Sequence, residues 1–232
     1  KAKRYLALEE FYLMQLRIVR RRLTFRGTAG SSKVSDGALT ARFIAGLPFE
    51  FTEAQRRCLT EIQRDISDSH PMNRLLHGDV GSGKTVVALA AMLQVVGAGQ
   101  QAALMAPTQI LAEQHYLNAK RWLEPLGVRV ALKTGERDEE TGEAPLFDTS
   151  LPGANGPDIF IGTHALLYDA ATIPDLGLVV IDEQHKFGVA QRARLIARGA
   201  TPDVLVMTAT PIPRTLTLTL YGDLDVSTID QR

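Results

Sequence analysis

The chain has 232 residues, of which 45% are hydrophobic, and 26 basic side chains balance 26 acidic ones; it can bury a full core, and its charge alone points to no polyanionic partner. No apolar run approaches the roughly 20 residues a membrane-spanning helix needs, and the basic start Lys1-Ala2-Lys3-Arg4 precedes an amphipathic segment rather than a signal-peptide core, so the cytoplasm is the expected compartment. A single cysteine, Cys58, excludes an internal disulfide and has no companions at zinc-site spacing.

At the N-terminus, Leu6, Phe11, Leu13, Met14, Leu16, Ile18, Val19 and Leu23 recur at mixed three- and four-residue steps, which predicts a long amphipathic helix within residues 1–26. Arg17, Arg20, Arg21, Arg22 and Arg26 fit a solvated face of that helix or a track for a nucleic-acid backbone. The run Gly27-Thr28-Ala29-Gly30-Ser31-Ser32-Lys33 has linker composition, so residues 27–38 are expected to be flexible and a globular domain to fill 39–232.

From there, β-rich apolar runs alternate with helix-length segments: Arg74–His77, Ala102–Ala106, Val128–Leu132, Asp158–Gly162, Leu178–Ile181 and Val204–Thr208. That alternation predicts an α/β domain with a mostly parallel sheet and helices on both faces. Leu178-Val179-Val180-Ile181 and Val204-Leu205-Val206-Met207 are apolar at every position, as parallel strands buried on both faces must be. Gly135–Pro157 is rich in Gly, Pro and acids without periodicity and reads as a long surface excursion.

Between the first of these runs and the helix-forming Val86–Val96 stands Gly78-Asp79-Val80-Gly81-Ser82-Gly83-Lys84-Thr85, a P-loop pattern in the context the chemistry requires. Glycines let the backbone curl until successive N–H groups face a phosphate, and the helix that follows adds the positive end of its dipole. Lys84 is then expected on the β- and γ-phosphates of a nucleoside triphosphate, and the Thr85 hydroxyl on Mg²⁺. Hydrolysis needs a second metal anchor and a group that takes a proton from water. Asp182-Glu183, at the end of the fifth apolar run, supplies both, with Asp182 as anchor and Glu183 as general base.

Asp182-Glu183-Gln184-His185 resembles the DExH box, motif II of the second helicase superfamily, and further motifs of that superfamily follow in order. Phe49 and Phe51-Thr52-Glu53-Ala54-Gln55 resemble the Q motif, which implies that Phe49 and Gln55 meet adenine. Ala106-Pro107-Thr108-Gln109-Ile110-Leu111-Ala112-Glu113-Gln114-His115 resembles motif Ia and Gly162-Thr163-His164-Ala165-Leu166 resembles motif Ib, which implies DNA-backbone contacts by Thr108, Gln109, Thr163 and His164. Thr208-Ala209-Thr210 stands at motif III, so Thr208 and Thr210, with Gln184 and His185, are implied to couple hydrolysis to movement. Read without the resemblance, Thr108, Thr163 and Thr210 are equally plain helix caps, and His164 and His185 ordinary hydrogen-bonded histidines.

The stretches from Asp182 to Arg192 and from Met207 to Asp225 narrow the resemblance to RecG-type helicases; the corresponding lobe of a transcription-repair coupling factor is the alternative. The resemblance implies a RecA-like P-loop lobe of an ATP-dependent translocase that remodels branched DNA in recombination and repair. It also implies a wedge domain before Lys1 and a second motor lobe after Arg232, so the chain reads as a fragment expected to be poorly active alone. Two departures from the family pattern stand out: the acidic Glu136-Arg137-Asp138-Glu139-Glu140, and Lys186 where Arg is usual. A nucleotide switch that never touches nucleic acid, or a binding module with a vestigial P-loop, are rival readings. The former has no use for the Thr108 and Thr163 segments, and intact Lys84, Thr85, Asp182 and Glu183 oppose the latter.

Overall fold

The computed structural model describes residues 32–134, 138–140, 156–163, 166, 173–182, 202–210 and 224–230, with 9, 12, 13, 15, 16, 19 and 20 from the N-terminal segment. Those seven N-terminal residues are helical, and Tyr12, Leu13, Leu16 and Val19 are exposed. The elements that follow are α1 (Ala38–Ala45), α2 (Glu53–Ile66), β1 (Asn73–Gly78), α3 (Lys84–Gly97), β2 (Gln101–Met105), α4 (Gln109–Leu123), β3 (Val130–Lys133), β4 (Asp138–Glu140), β5 (Ile159–Gly162), β6 (Leu176–Asp182), β7 (Asp203–Thr208) and β8 (Asp225–Ile229). Among the described residues no helix is long and apolar enough to cross a membrane.

One eight-stranded sheet runs in the order β4-β3-β5-β2-β6-β7-β1-β8. Seven strands are parallel, and only β4, at one edge, is antiparallel to its neighbour β3. Alternate side chains along each strand sort into two cores. Leu76, Leu104, Leu132, Ile161, Val180 and Met207 join α1 to α4 on one face. Leu75, Met105, Ala131, Phe160, Val179 and Val206 pack on the other with Leu166, Ile173 and Leu224.

All six predicted runs hold a strand, but β4 and β8 were not foreseen. β4 lies within Gly135–Pro157, the stretch expected to be a surface excursion, where Asp138, Glu139 and Glu140 pair with Lys133, Leu132 and Ala131. Three consecutive acids have poor strand propensity, yet an edge strand can be held by its ladder alone. β8 alternates buried and exposed positions as an edge strand beside β1, and two arginines tie it to α2. Arg74 binds Asp65 at 2.7 Å and Ser227 Oγ at 2.8 Å, while Arg57 donates to the Thr228 carbonyl at 2.9 Å.

Residues 32–36, inside the stretch expected to be a linker, pack against the lobe. The Lys33 backbone N–H donates to the Ile66 carbonyl at 3.1 Å, and its ammonium lies 2.9 Å from Asp203 Oδ2 with both side chains buried. Asp203 Oδ1 also accepts from the Met72 N–H, so one carboxylate joins this segment to the starts of β1 and β7.

Candidate nucleotide site on the sheet's C-terminal edge

Parallel strands deliver their following loops to one edge, and five candidate segments meet there. The P-loop leaves β1, motif Ia leaves β2, motif Ib leaves β5, Asp182 ends β6 and Thr208 ends β7. In register, Asp182 sits opposite Met207, and His77 opposite Thr208, so the acidic end of β6 and the P-loop strand are separated by β7 alone.

The P-loop turns through Gly81 (φ 80°) and Gly83 (φ 84°), both in the left-handed region that glycine adopts without strain. Gly83 caps α3 with no side-chain acceptor, so no capping side chain covers the positive end of the helix dipole. Side chains are excluded from the curl. A Cβ on Gly78 would lie 2.6 Å from Ser82 Oγ, and one on Gly83 would strike the Gln55 amide. Ser82 Oγ is itself buried without a hydrogen-bond partner among the described residues. Backbone donors, this orphan hydroxyl and the Lys84 ammonium suit a polyphosphate. The oxygen donors Thr85 and Asp182 suit Mg²⁺, a hard cation.

Lys84 Nζ donates to the carbonyls of Gly78 and Asp79, each at 2.7 Å, and so stands inside the loop. A cavity of about 390 Å³ opens on the β8 flank of the loop, between Gly78, Asp79 and Ser82 on one side and Thr228 and Asp230 on the other. Asp182 is on the opposite, β6 flank.

Gln55 is buried under the loop. Its amide nitrogen donates to the Ser82 carbonyl at 2.8 Å, and its oxygen accepts from the Thr52 N–H at 2.9 Å. Thr52 and Gln55 form a capping box at the start of α2, so the expected adenine-reading residue also fastens helix to loop. Phe49 is 44% exposed, which leaves its ring a face to offer.

Thr108 is exposed and caps α4 by accepting from the Leu111 N–H at 3.4 Å, and Gln109 reaches Glu113 at 3.3 Å. Thr163, by contrast, is buried. The Ala106 N–H donates to the Gly162 carbonyl at 2.8 Å, which holds the beginnings of both motif segments side by side. Thr208 and Thr210 share a hydroxyl contact at 2.9 Å. His164, Glu183, Gln184 and His185 lie outside the described residues.

Two histidines emerge that the sequence reading gave no role. His77 Nε2 is 3.2 Å from the Thr210 carbonyl, bridging the P-loop strand to motif III. His115 Nε2 is 2.9 Å from Asp182 Oδ2, bridging the motif Ia helix to motif II. His115 closes the motif Ia stretch, but a partner 67 positions away leaves no local trace.

A family profile for DEAD/DEAH box helicases matches residues 52–219. ATP-dependent DNA helicase RecG of Synechocystis sp. is 48% identical over 99% of this chain, which spans 27% of that protein. RecG of Acidithiobacillus ferridurans is 48% identical over 97% of the chain, which spans 32% of it. A solved structure of RecG bound to a three-way DNA junction superposes with a TM-score of 0.80 at 42% identity, covering 98% of this chain and 30% of that one. The chain therefore belongs to the DEAD/DEAH box helicases, a membership that carries ATP binding with it.

Proposed function

We propose that this lobe is the ATP-binding half of a RecG-type motor that moves on DNA and remodels branched structures such as stalled forks and Holliday junctions. One observation carries the reading most: the P-loop, Asp182 and the motif Ia and Ib segments all leave the same edge of a single sheet, so one rigid body can hold nucleotide and a DNA strand together. The RecG relatives and the junction-bound RecG structure support the choice of branched DNA.

In this reading Phe49 and Gln55 meet adenine, and the N–H groups of Gly81 and Gly83, the Ser82 hydroxyl and the Lys84 ammonium hold the phosphates. Gly78 and Asp79 shape the loop's entry. Mg²⁺, held by Thr85 and Asp182, would neutralise charge developing on the transferred phosphoryl group. Glu183 takes a proton from the water that attacks the γ-phosphorus, the P–O bond to ADP breaks, and ADP and phosphate leave. Thr108, Gln109 and His164 contact the DNA backbone through side chains, and buried Thr163 contributes its backbone. Gln184, His185, Thr208 and Thr210 relay the change in the phosphates to the strand-holding loops.

Glu183→Gln in the full-length protein should bind MgATP as the parent does but turn it over at least ~100-fold more slowly, with three-way-junction DNA as activator. Parallel loss of binding and turnover would contradict the assignment, as would turnover indifferent to DNA.

A further inference from the structure

The geometry points to His115 as a positioning residue that fixes the Asp182 carboxylate as metal anchor, an inference that rests on the nucleotide-site reading above. His115 Nε2 lies 2.9 Å from Asp182 Oδ2, and the two side chains are only 11% and 16% exposed. An ionised carboxylate is purely an acceptor, so this nitrogen carries the proton and donates. Shielded from water, such a charge-assisted bond holds the carboxylate in one rotamer. With Oδ2 engaged by imidazole, Oδ1 is left as the oxygen that would meet a metal.

The supporting element is well suited to this. α4 is fixed at its start by the Thr108 cap and at its middle and end by buried Ala112, Tyr116, Ala119 and Leu123. Side chains on a helix lean toward its N-terminus, so His115, two turns below the cap, reaches back up toward the sheet's C-terminal edge where Asp182 ends β6. The helix that begins with the exposed Thr108 therefore also carries the group that sets the metal anchor. Partners of metal-binding carboxylates commonly change metal affinity 10–100-fold when removed.

The test uses the full-length protein with ADP and Mn²⁺ in place of Mg²⁺, reading bound Mn²⁺ by electron paramagnetic resonance and metal-free ADP affinity by calorimetry. His115→Phe keeps the buried volume and loses the donor; His115→Gln restores a neutral donor at similar reach. The expected result is Mn²⁺ affinity about tenfold weaker in the Phe variant, largely recovered in the Gln variant, with metal-free ADP affinity unchanged in both. Equal Mn²⁺ affinity in parent and Phe variant overturns the proposal, as does loss of metal-free ADP binding in step with the metal, since that would mark general damage. Lys84→Ala separates the underlying reading: if it leaves ADP affinity intact, the nucleotide site itself is misplaced.

Discussion

At position 203 a carboxylate sits almost wholly out of water, 1% exposed, between the Lys33 ammonium and the Met72 N–H. Burial pushes its pKa up, against the pull of Lys33, from 3.8 to about 6. The folded chain thus holds this proton more tightly than the unfolded chain does. The contribution is full below about pH 4 and is lost as pH rises through about 6. Denaturant melts from pH 4 to 7 should show the parent losing stability relative to Asp203→Asn across that window; a constant difference would refute it. Lys33→Met, which strands the charge, should cost roughly 3–5 kcal/mol at neutral pH in the same melts. None of this was legible locally: Lys33 follows a Gly/Ser run of linker composition, and its partner is 170 positions away. The placement of Lys84 and Asp182 on one edge of the sheet was legible, because each follows an apolar run long enough for a strand.

Between elements, the P-loop and α3 depend on Gly83, whose left-handed φ of 84° is strained for any other residue and whose missing Cβ makes room for Gln55. Gly83→Ala should cost at least ~1–2 kcal/mol and weaken ATP binding at least tenfold by displacing the Gln55 amide from the Ser82 carbonyl. Calorimetry with an ATP analogue checks this, and retained affinity would show that the loop tolerates a side chain. At the far edge, Arg74 reaches from β1 to Asp65 on α2 and Ser227 on β8. Arg74→Ala should destabilise by about 2 kcal/mol and speed amide exchange across Val226–Ile229; unchanged exchange would mean that the ladder to β1 suffices. The same two edges mark where pattern reading stopped. Central strands announce themselves by apolar side chains on both faces, whereas β8 is half exposed and β4 is Asp-Glu-Glu, each ordered by its neighbours rather than by its own composition.

Across the molecule, motif order was readable but strand order was not, since nothing in the local sequence states that β7 lies between β1 and β6. That insertion decides how the lobe can work. It leaves the Lys84 loop and Asp182 on either side of Thr208, so a group bridging them would lie beside Thr208, and His77 ties Thr210 back to the P-loop strand. On the proposed reading, this edge is half of a composite site. A facing lobe would then supply arginines to charge developing on the transferred phosphoryl group, a contribution worth roughly 10³–10⁵ in rate in related enzymes. The chain spans 27% of the Synechocystis RecG it matches, which leaves ample length for such a lobe in that relative. This chain alone should therefore bind MgATP yet show DNA-stimulated turnover at least ~10³-fold below that of the same lobe joined covalently to its partner lobe. Its DNA binding should also be weak and steeply salt-dependent: with 26 basic and 26 acidic side chains it has little net charge to offer phosphates. Steady-state ATPase assays with and without three-way-junction DNA, run on the single lobe and on the two-lobe protein, decide the matter. Robust DNA-stimulated hydrolysis by the single lobe would show that the catalytic arrangement is complete on this edge and that no facing arginine is needed.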